Sequence, residues 1–226
     1  MTALDWQQID TVLLDMDGTL LDLHFDNHFW LEHLPQAYAS HKHIGYDEAL
    51  AELNTHFVGL RGTLSWYCLD YWSDLTGLPV ALLKEDVAHK IRFRPHVQDF
   101  LLQLQQAGKR RVIVTNAHRD SVNLKLRHTG LDRYVDRIIS SHDYREPKEN
   151  QAFWDHLLHD EPFDPARTLL IDDSQSVLES AARWGIGHLL MVFHPDSARP
   201  PVTSDRFAGI HHFDELAPGQ QESDQA

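Results

Sequence analysis

The chain reads as an α/β protein: a Rossmann-like, doubly wound parallel sheet with an inserted α-helical cap. Three observations predict it. Residues 12–14, 111–115 and 168–171 are short, unbroken apolar runs of the kind buried on both faces of a parallel sheet. From Pro95 onward such runs alternate with amphipathic stretches, the pattern of successive βα units. Between the first run and Pro95 the periodicity is helical alone.

The first strand, with Val12, Leu13 and Leu14, ends before Gly18 and delivers Asp15 and Asp17, two residues apart. Side chains at i and i+2 share a strand face, and past the strand end both carboxylates can splay around one pocket. Ligands of open α/β sheets sit at such carboxyl ends. After Leu20 helices are expected: Asp26 or Asn27 caps one containing Phe29, Trp30, Leu34 and Ala37. A second follows Tyr46, with Ala49, Leu50 and Leu53 on one side. Residues 67–75 and 80–91 are two further amphipathic stretches, parted by Gly77-Leu78-Pro79. Then come helix 96–107, strand 110–115, helix 120–129, strand 137–140, helix 149–159, strand 168–172, helix 175–184 and strand 188–193. The expected division is a catalytic core of residues 1–21 and 93–216, a helical cap of residues 22–92, and a flexible tail of residues 217–226.

A chain of 226 residues suffices for one substantial core plus an inserted subdomain. The net charge of −14, without a local basic stripe, argues against nucleic acid polymers as partners. Cys68 is the one cysteine, which excludes an intrachain disulfide and a cysteine-rich zinc site and suits a reducing compartment. The opening MTALDWQQID has neither the basic nor the apolar region of a signal, and no apolar run approaches a membrane span. A cytoplasmic protein with no membrane partner is expected. Among 17 histidines, the pairs His24/His28, His41/His43 and His211/His212 lie far apart, without cysteines or a helical HExxH. They read as solvated or structural.

Four features carry chemistry, in this order: Asp15-Met16-Asp17-Gly18-Thr19, Thr115-Asn116, Lys148 in Glu146-Pro147-Lys148, and Asp172-Asp173-Ser174. Each alone has an ordinary reading: a solvated turn, a strand-end hydroxyl, a surface lysine, a helix N-cap pair. In this order and at strand ends they resemble the four motifs of the haloacid dehalogenase-like hydrolase superfamily, over about residues 9–216. A free aspartate has a pKa of about 3.9, so Asp15 should be ionised at neutral pH and need no separate base to be nucleophilic. Mg²⁺, which favours oxygen ligands, is the expected cofactor, held by an Asp15 oxygen, the Asp17 carbonyl, Asp173 and Asp172. Lys148 adds a positive charge that holds phosphate beside the nucleophile, and the Thr115 hydroxyl and Asn116 backbone N–H can bind phosphate oxygens. The resemblance supplies the roles: Asp15 forms an aspartyl-phosphate, while Asp17 protonates the leaving alkoxide and then helps activate water. Thr19 is expected to position Asp17. Many relatives carry Gly where Asp172 stands and an acid where Val177 stands, so this acidic set departs from the common pattern.

The stretch from Arg61 to Trp72, RGTLSWYCLDYW, concentrates aromatic faces beside a glycine turn and an arginine. Trp66 or Tyr67 could stack on a purine, and Arg61 could hydrogen-bond its carbonyl or the phosphate; the alternative is an aromatic core of the cap. As a whole the chain resembles the bacterial GMP/IMP 5′-nucleotidase branch of the superfamily, which implies hydrolysis of the small-molecule phosphomonoesters IMP and GMP. The alternative on the same scaffold is a sugar-phosphate or phosphoglycolate phosphatase, with a phosphomutase behind it. From another class, a phospho-acceptor signalling domain also joins acids, a Thr and a Lys around a parallel sheet. There, however, the phosphorylated Asp ends a middle strand and the acid pair comes early. A non-catalytic binding domain is the remaining alternative.

Overall fold

The computed structural model describes residues 4–218, so most of the expected tail, from residue 219, lies outside the described residues. Strand β1 (Thr11–Leu14) is followed by a helical insertion comprising α1 (His24–His28), α2 (Leu34–Lys42), α3 (Tyr46–Leu60), α4 (Leu64–Tyr67), α5 (Leu69–Thr76) and α6 (Val80–Asp86). The remainder alternates: α7 (Val97–Gln106), β2 (Arg110–Thr115), α8 (Arg119–Thr129), β3 (Arg137–Ser140), α9 (Ser141–Tyr144), α10 (Gln151–Asp160), β4 (Thr168–Asp172), α11 (Gln175–Trp184), β5 (His188–Val192) and β6 (Gly209–Ile210). All six strands are parallel, in the order β3-β2-β1-β4-β5-β6. The expected doubly wound sheet is therefore present, with β1 at its centre.

Strand alternation explains why the central runs are apolar throughout. Val12 and Leu14 face one side, packing with Ile113, Leu169 and Ile171 against Val97, Phe100 and Leu104 of α7. Leu13 faces the other, with Val112, Val114 and Leu170, against Phe153 and Trp154 of α10 and Val177 and Leu178 of α11. These side chains are buried on both faces, each stabilising the fold by about 1.5–3 kcal/mol relative to exposure. A separate cluster built on Phe25, Phe29, Phe57, Leu69 and Trp72 holds the helical insertion together, and Leu124 of α8 joins it from below.

Several local expectations change. Asp26 and Asn27 do not cap the first helix, which starts at His24 after Leu23. Asp26 turns instead to two buried ammonium groups, and Asn27 Nδ2 donates to Asp196 Oδ2 at 2.7 Å. The ion pairs of a buried carboxylate outweigh one N-terminal hydrogen bond. Residues 67–75 are not one helix: the chain is extended at Cys68, between α4 and α5. Helix α6 stops at Asp86, and a 3₁₀ turn (Ala88–Lys90) completes the stretch. The sixth strand has only two residues and no apolar run to announce it. Its Gly209 is required by close approach, because a Cβ there would lie 2.4 Å from the Met191 carbonyl oxygen. Among the described residues no helix is long and apolar enough to cross a membrane.

Candidate active site

The carboxyl ends of β1, β2 and β4 converge beneath the helical insertion. Asp15 N extends the ladder by donating to the Ile171 carbonyl at 3.0 Å, which carries the Asp15 side chain just past the sheet. Gly18 then turns the chain at φ +87°. A Cβ on Gly18 would meet Asp173 Oδ2 at 2.5 Å, so glycine serves both the left-handed backbone and the close approach of the β1 and β4 loops. This contact brings Asp173 beside the first loop. Carboxylate oxygens of Asp15, Asp172 and Asp173 lie within 4.8 Å of one another.

Lys148 joins the acids. Its Nζ donates to Asp15 Oδ1 at 2.5 Å, to Asp172 Oδ2 at 2.7 Å and to the Val114 carbonyl at 3.0 Å. Burial alone would lower the Lys148 pKa, but the Asp15 and Asp172 carboxylates raise it above the ordinary lysine value. Asp15 is pushed up to about 6, by burial first and then by Asp172, against the opposing pull of Lys148. It remains mostly ionised at pH 7, although less acidic than a free aspartate. Asp173 is raised well above the usual carboxylate range, by burial and by repulsion from Asp15 and Asp172.

The two members of the late acidic pair differ. Asp172 is fully buried, and its oxygens accept from Lys148 and from the Ser174 N–H at 2.8 Å. The carboxylate that meets Gly18 is that of Asp173. An all-oxygen donor set with net negative charge suits a hard divalent cation, and the cation would relieve the repulsion that raises these pKa values.

Asp17 has partners the sequence did not reveal. Lys125 Nζ of α8 lies 2.7 Å from Asp17 Oδ1 and 2.7 Å from Asp26 Oδ2, and Lys84 Nζ of α6 donates to Asp26 Oδ1 at 2.8 Å. Both lysines are buried. Burial, with Asp26 and Asp15 nearby, pushes Asp17 up to about 6 despite Lys125. Asp26 goes the other way: burial would raise it, but Lys125 and Lys84 hold it at about 2. The hydroxyl of Thr19, expected beside Asp17, is buried without a hydrogen-bond partner among the described residues, so Lys125 takes the place foreseen for Thr19.

Thr115 ends β2 and Asn116 follows it. Thr115 Oγ1 accepts from the Ala117 N–H at 3.1 Å, and Asn116 organises the lysine loop: its Oδ1 accepts from Lys148 N at 2.9 Å while its Nδ2 donates to Glu149 Oε2 at 3.0 Å. The other Glu149 oxygen accepts from the Tyr67 hydroxyl at 2.8 Å, linking the insertion to the sheet. Burial and the Glu149 charge raise the Tyr67 pKa, so this hydroxyl stays a donor. Above these groups opens a cavity of about 720 Å³, floored by Asp15, Asp17 and Lys148 and walled by Trp30, Phe57 and Trp66. That volume is in the range of small-molecule sites. Trp66 packs edge-on against Phe57, with centroids 5.5 Å apart, so it belongs to the aromatic cluster and also faces the cavity. Arg61 lies exposed at the rim.

Residues 9–185 match the model of the haloacid dehalogenase-like hydrolases. The chain belongs to the haloacid dehalogenase-like hydrolase family. This hydrolase is 38% identical, over 213 residues, to the GMP/IMP nucleotidase YrfG of Escherichia coli (strain K12), with 94% of this chain and 96% of that protein covered. YrfG of Shigella flexneri matches at the same identity and coverage. Among solved structures, the HAD phosphatase from Thermococcus onnurineus superposes with a TM-score of 0.76 at 23% identity, covering 92% of this chain and 96% of that one. CbbY from Rhodobacter sphaeroides in complex with phosphate gives 0.60 at 18% identity, covering 92% and 96%. These likenesses are of fold. The α/β hydrolase expected from the four motifs is thus the family found, and its motif residues meet at one site.

Proposed function

We propose that this hydrolase is a Mg²⁺-dependent, cytoplasmic 5′-nucleotidase that removes phosphate from purine mononucleotides, IMP and GMP foremost. The observation that carries the reading is the Asp15–Lys148 contact on the floor of an aromatic-walled cavity. It is supported by 38% identity to a GMP/IMP nucleotidase along nearly the whole of both chains.

Asp15 attacks phosphorus from the end of β1, and the bond from phosphorus to the ribose oxygen breaks as the aspartyl-phosphate forms. Lys148 holds the Asp15 carboxylate in place and offers its charge to the incoming phosphate dianion. Thr115 and the Asn116 backbone take phosphate oxygens at the end of β2. Asp15, Asp173 and the Asp17 carbonyl would hold Mg²⁺, with Asp172 behind them fixing Lys148; the cation supplies charge neutralisation between carboxylate and phosphate. Asp17 donates its proton to the departing 5′ oxygen and takes one from the water that opens the acyl phosphate. A pKa of about 6 suits both directions. Trp30, Phe57 and Trp66 offer faces to the base, and Arg61 reaches its 6-oxo edge from the rim. In this reading helices α1 to α6 act as a cap over the reacting groups, which excludes bulk water.

The test is a phosphate-release panel of IMP, GMP, AMP, phosphoglycolate and glucose 1-phosphate, each with and without Mg²⁺. IMP and GMP should lead in kcat/KM, and omission of Mg²⁺ should abolish all turnover. Asp15→Asn should lose roughly 10⁴-fold or more, because the amide keeps the shape without the nucleophile. If AMP and glucose 1-phosphate match IMP, a general small-molecule phosphatase replaces the nucleotidase. Near-normal turnover by Asp15→Asn would remove the covalent route.

A further inference from the structure

Apart from the carboxylates, a second set of ligand-type side chains meets where the insertion touches the core. Cys68 stands at the extended break between α4 and α5, His118 immediately precedes α8, and His142 lies in α9. A sulfur or ring nitrogen from each lies within 4.8 Å of the others. The two imidazoles stand edge to face, with centroids 4.9 Å apart. His142 Nε2 is buried without a hydrogen-bond partner among the described residues, a costly state for a polar atom. Cys68 is a free, part-buried thiol. Asp70 Oδ2, two residues on, lies 3.5 Å from His118 Nε2 and supplies an exposed oxygen.

We propose that Cys68, His118 and His142, with Asp70 in reach as a fourth ligand, bind a borderline-soft divalent transition metal, Zn²⁺ foremost, and so tie the helical insertion to the core. The donors decide the class of ion: thiolate and imidazole suit Zn²⁺, whereas Mg²⁺ takes oxygen. Zn–N and Zn–S bonds of about 2.0–2.3 Å require the donors to close by roughly an ångström, within reach of side-chain adjustment. Binding displaces the Cys68 thiol proton to solvent, with no change of oxidation state. Because Cys68 belongs to the helical insertion and the two histidines to the core, the bound ion restrains movement of one against the other and slows turnover. The site stands independently of the substrate proposed above.

Untagged full-length protein in excess Mg²⁺ is titrated with Co²⁺ and then Zn²⁺, followed by absorption, calorimetry and phosphate release. One Co²⁺ should bind with a thiolate-to-metal charge-transfer band, be displaced by Zn²⁺, and leave turnover inhibited. Cys68→Ser and His142→Ala should each weaken Zn²⁺ binding by about tenfold or more and lift the inhibition, while keeping Mg²⁺-supported turnover. Cys68→Ala serves if either fails to fold. Asp173→Asn should retain the charge-transfer band. A spectrum without that band, wild-type Zn²⁺ affinity in the Cys68 and His142 variants, or loss of the ion in Asp173→Asn would each overturn the site. Binding without inhibition would overturn the restraint on that movement.

Discussion

Replacing Lys125 by methionine isolates what the buried lysine does for Asp17. Methionine matches the lysine stem as far as Cε but lacks the ammonium, which lies 2.7 Å from both Asp17 and Asp26, so the change leaves those carboxylates facing each other. Removing one partner of a buried ion pair costs about 3–5 kcal/mol. Part is recovered, because Asp17, already at about 6, takes up a proton at roughly 1.4 kcal/mol per pH unit. A net loss of about 2–4 kcal/mol remains, which for a chain of this size lowers Tm by roughly 5–15 °C. Catalysis should suffer selectively. A ribose alkoxide needs the proton of Asp17, an assistance worth about 10²–10⁴, whereas nitrophenolate leaves without it. Single-turnover phosphoenzyme formation from IMP should therefore fall about a hundredfold or more, and from p-nitrophenyl phosphate far less. Lys84→Met, which loses a contact to Asp26 but none to Asp17, should destabilise comparably without altering the ratio between substrates. Equal losses on the two substrates in Lys125→Met, or the same ratio in both variants, would refute the positioning of Asp17 by Lys125.

Mg²⁺ should raise Tm, by about 2.7 kcal/mol of stability at a hundred times its Kd, and more at neutral pH than below about pH 5. The sign follows from Asp15 and Asp17: their folded pKa values lie near 6, above the ordinary 3.8. Stability from their protonation is present below 3.8 and lost as pH rises through about 6, which is where a cation has most to relieve; a pH-independent shift in thermal melts would contradict this. Asp173→Asn should weaken Mg²⁺ binding so that excess metal restores part of the turnover, and an unchanged metal titration would exclude Asp173 as a ligand. Gly18→Ala should abolish activity and lower Tm, because its Cβ collides with Asp173 in a left-handed turn; wild-type melting would show that the two loops can separate. Trp66→Ala should raise KM for IMP while sparing p-nitrophenyl phosphate, and parallel changes in both would assign Trp66 to packing alone.

The sheet was legible because a parallel strand covered on both sides must be apolar at every position, as at Leu13 and Leu14. Asp15, Asp172 and Asp173 were legible from their place at the ends of apolar strand runs, and Lys148 from its place in the order of the motifs; the fold brings the four side chains together. Lys125 was not. It sits in a polar helical stretch that reads as solvated, and its partner Asp26 is 99 residues away. The Tyr67–Glu149 link, 82 residues apart, gave no local signal either, since neither residue type is rare on a surface. His118 and His142 gave no local signal either, because they meet through the ends of β2 and β3, which only strand order brings together. The Asp26 cap failed for a related reason: a distant charge overrode a local preference.

The two-lysine cluster also fixes where this architecture can vary. Asp26 near the start of the insertion and Lys84 near its end are fastened to each other, and through Lys125 to α8. Both roots of the inserted segment are thus clamped at one electrostatic rivet beside Asp17. The outer pair α2 and α3 lies between those roots in the chain. Sequence drift there can reshape the roof while the rivet preserves the placement of Asp17 below. The outer helices can accordingly change without rebuilding the carboxylate floor of the cavity.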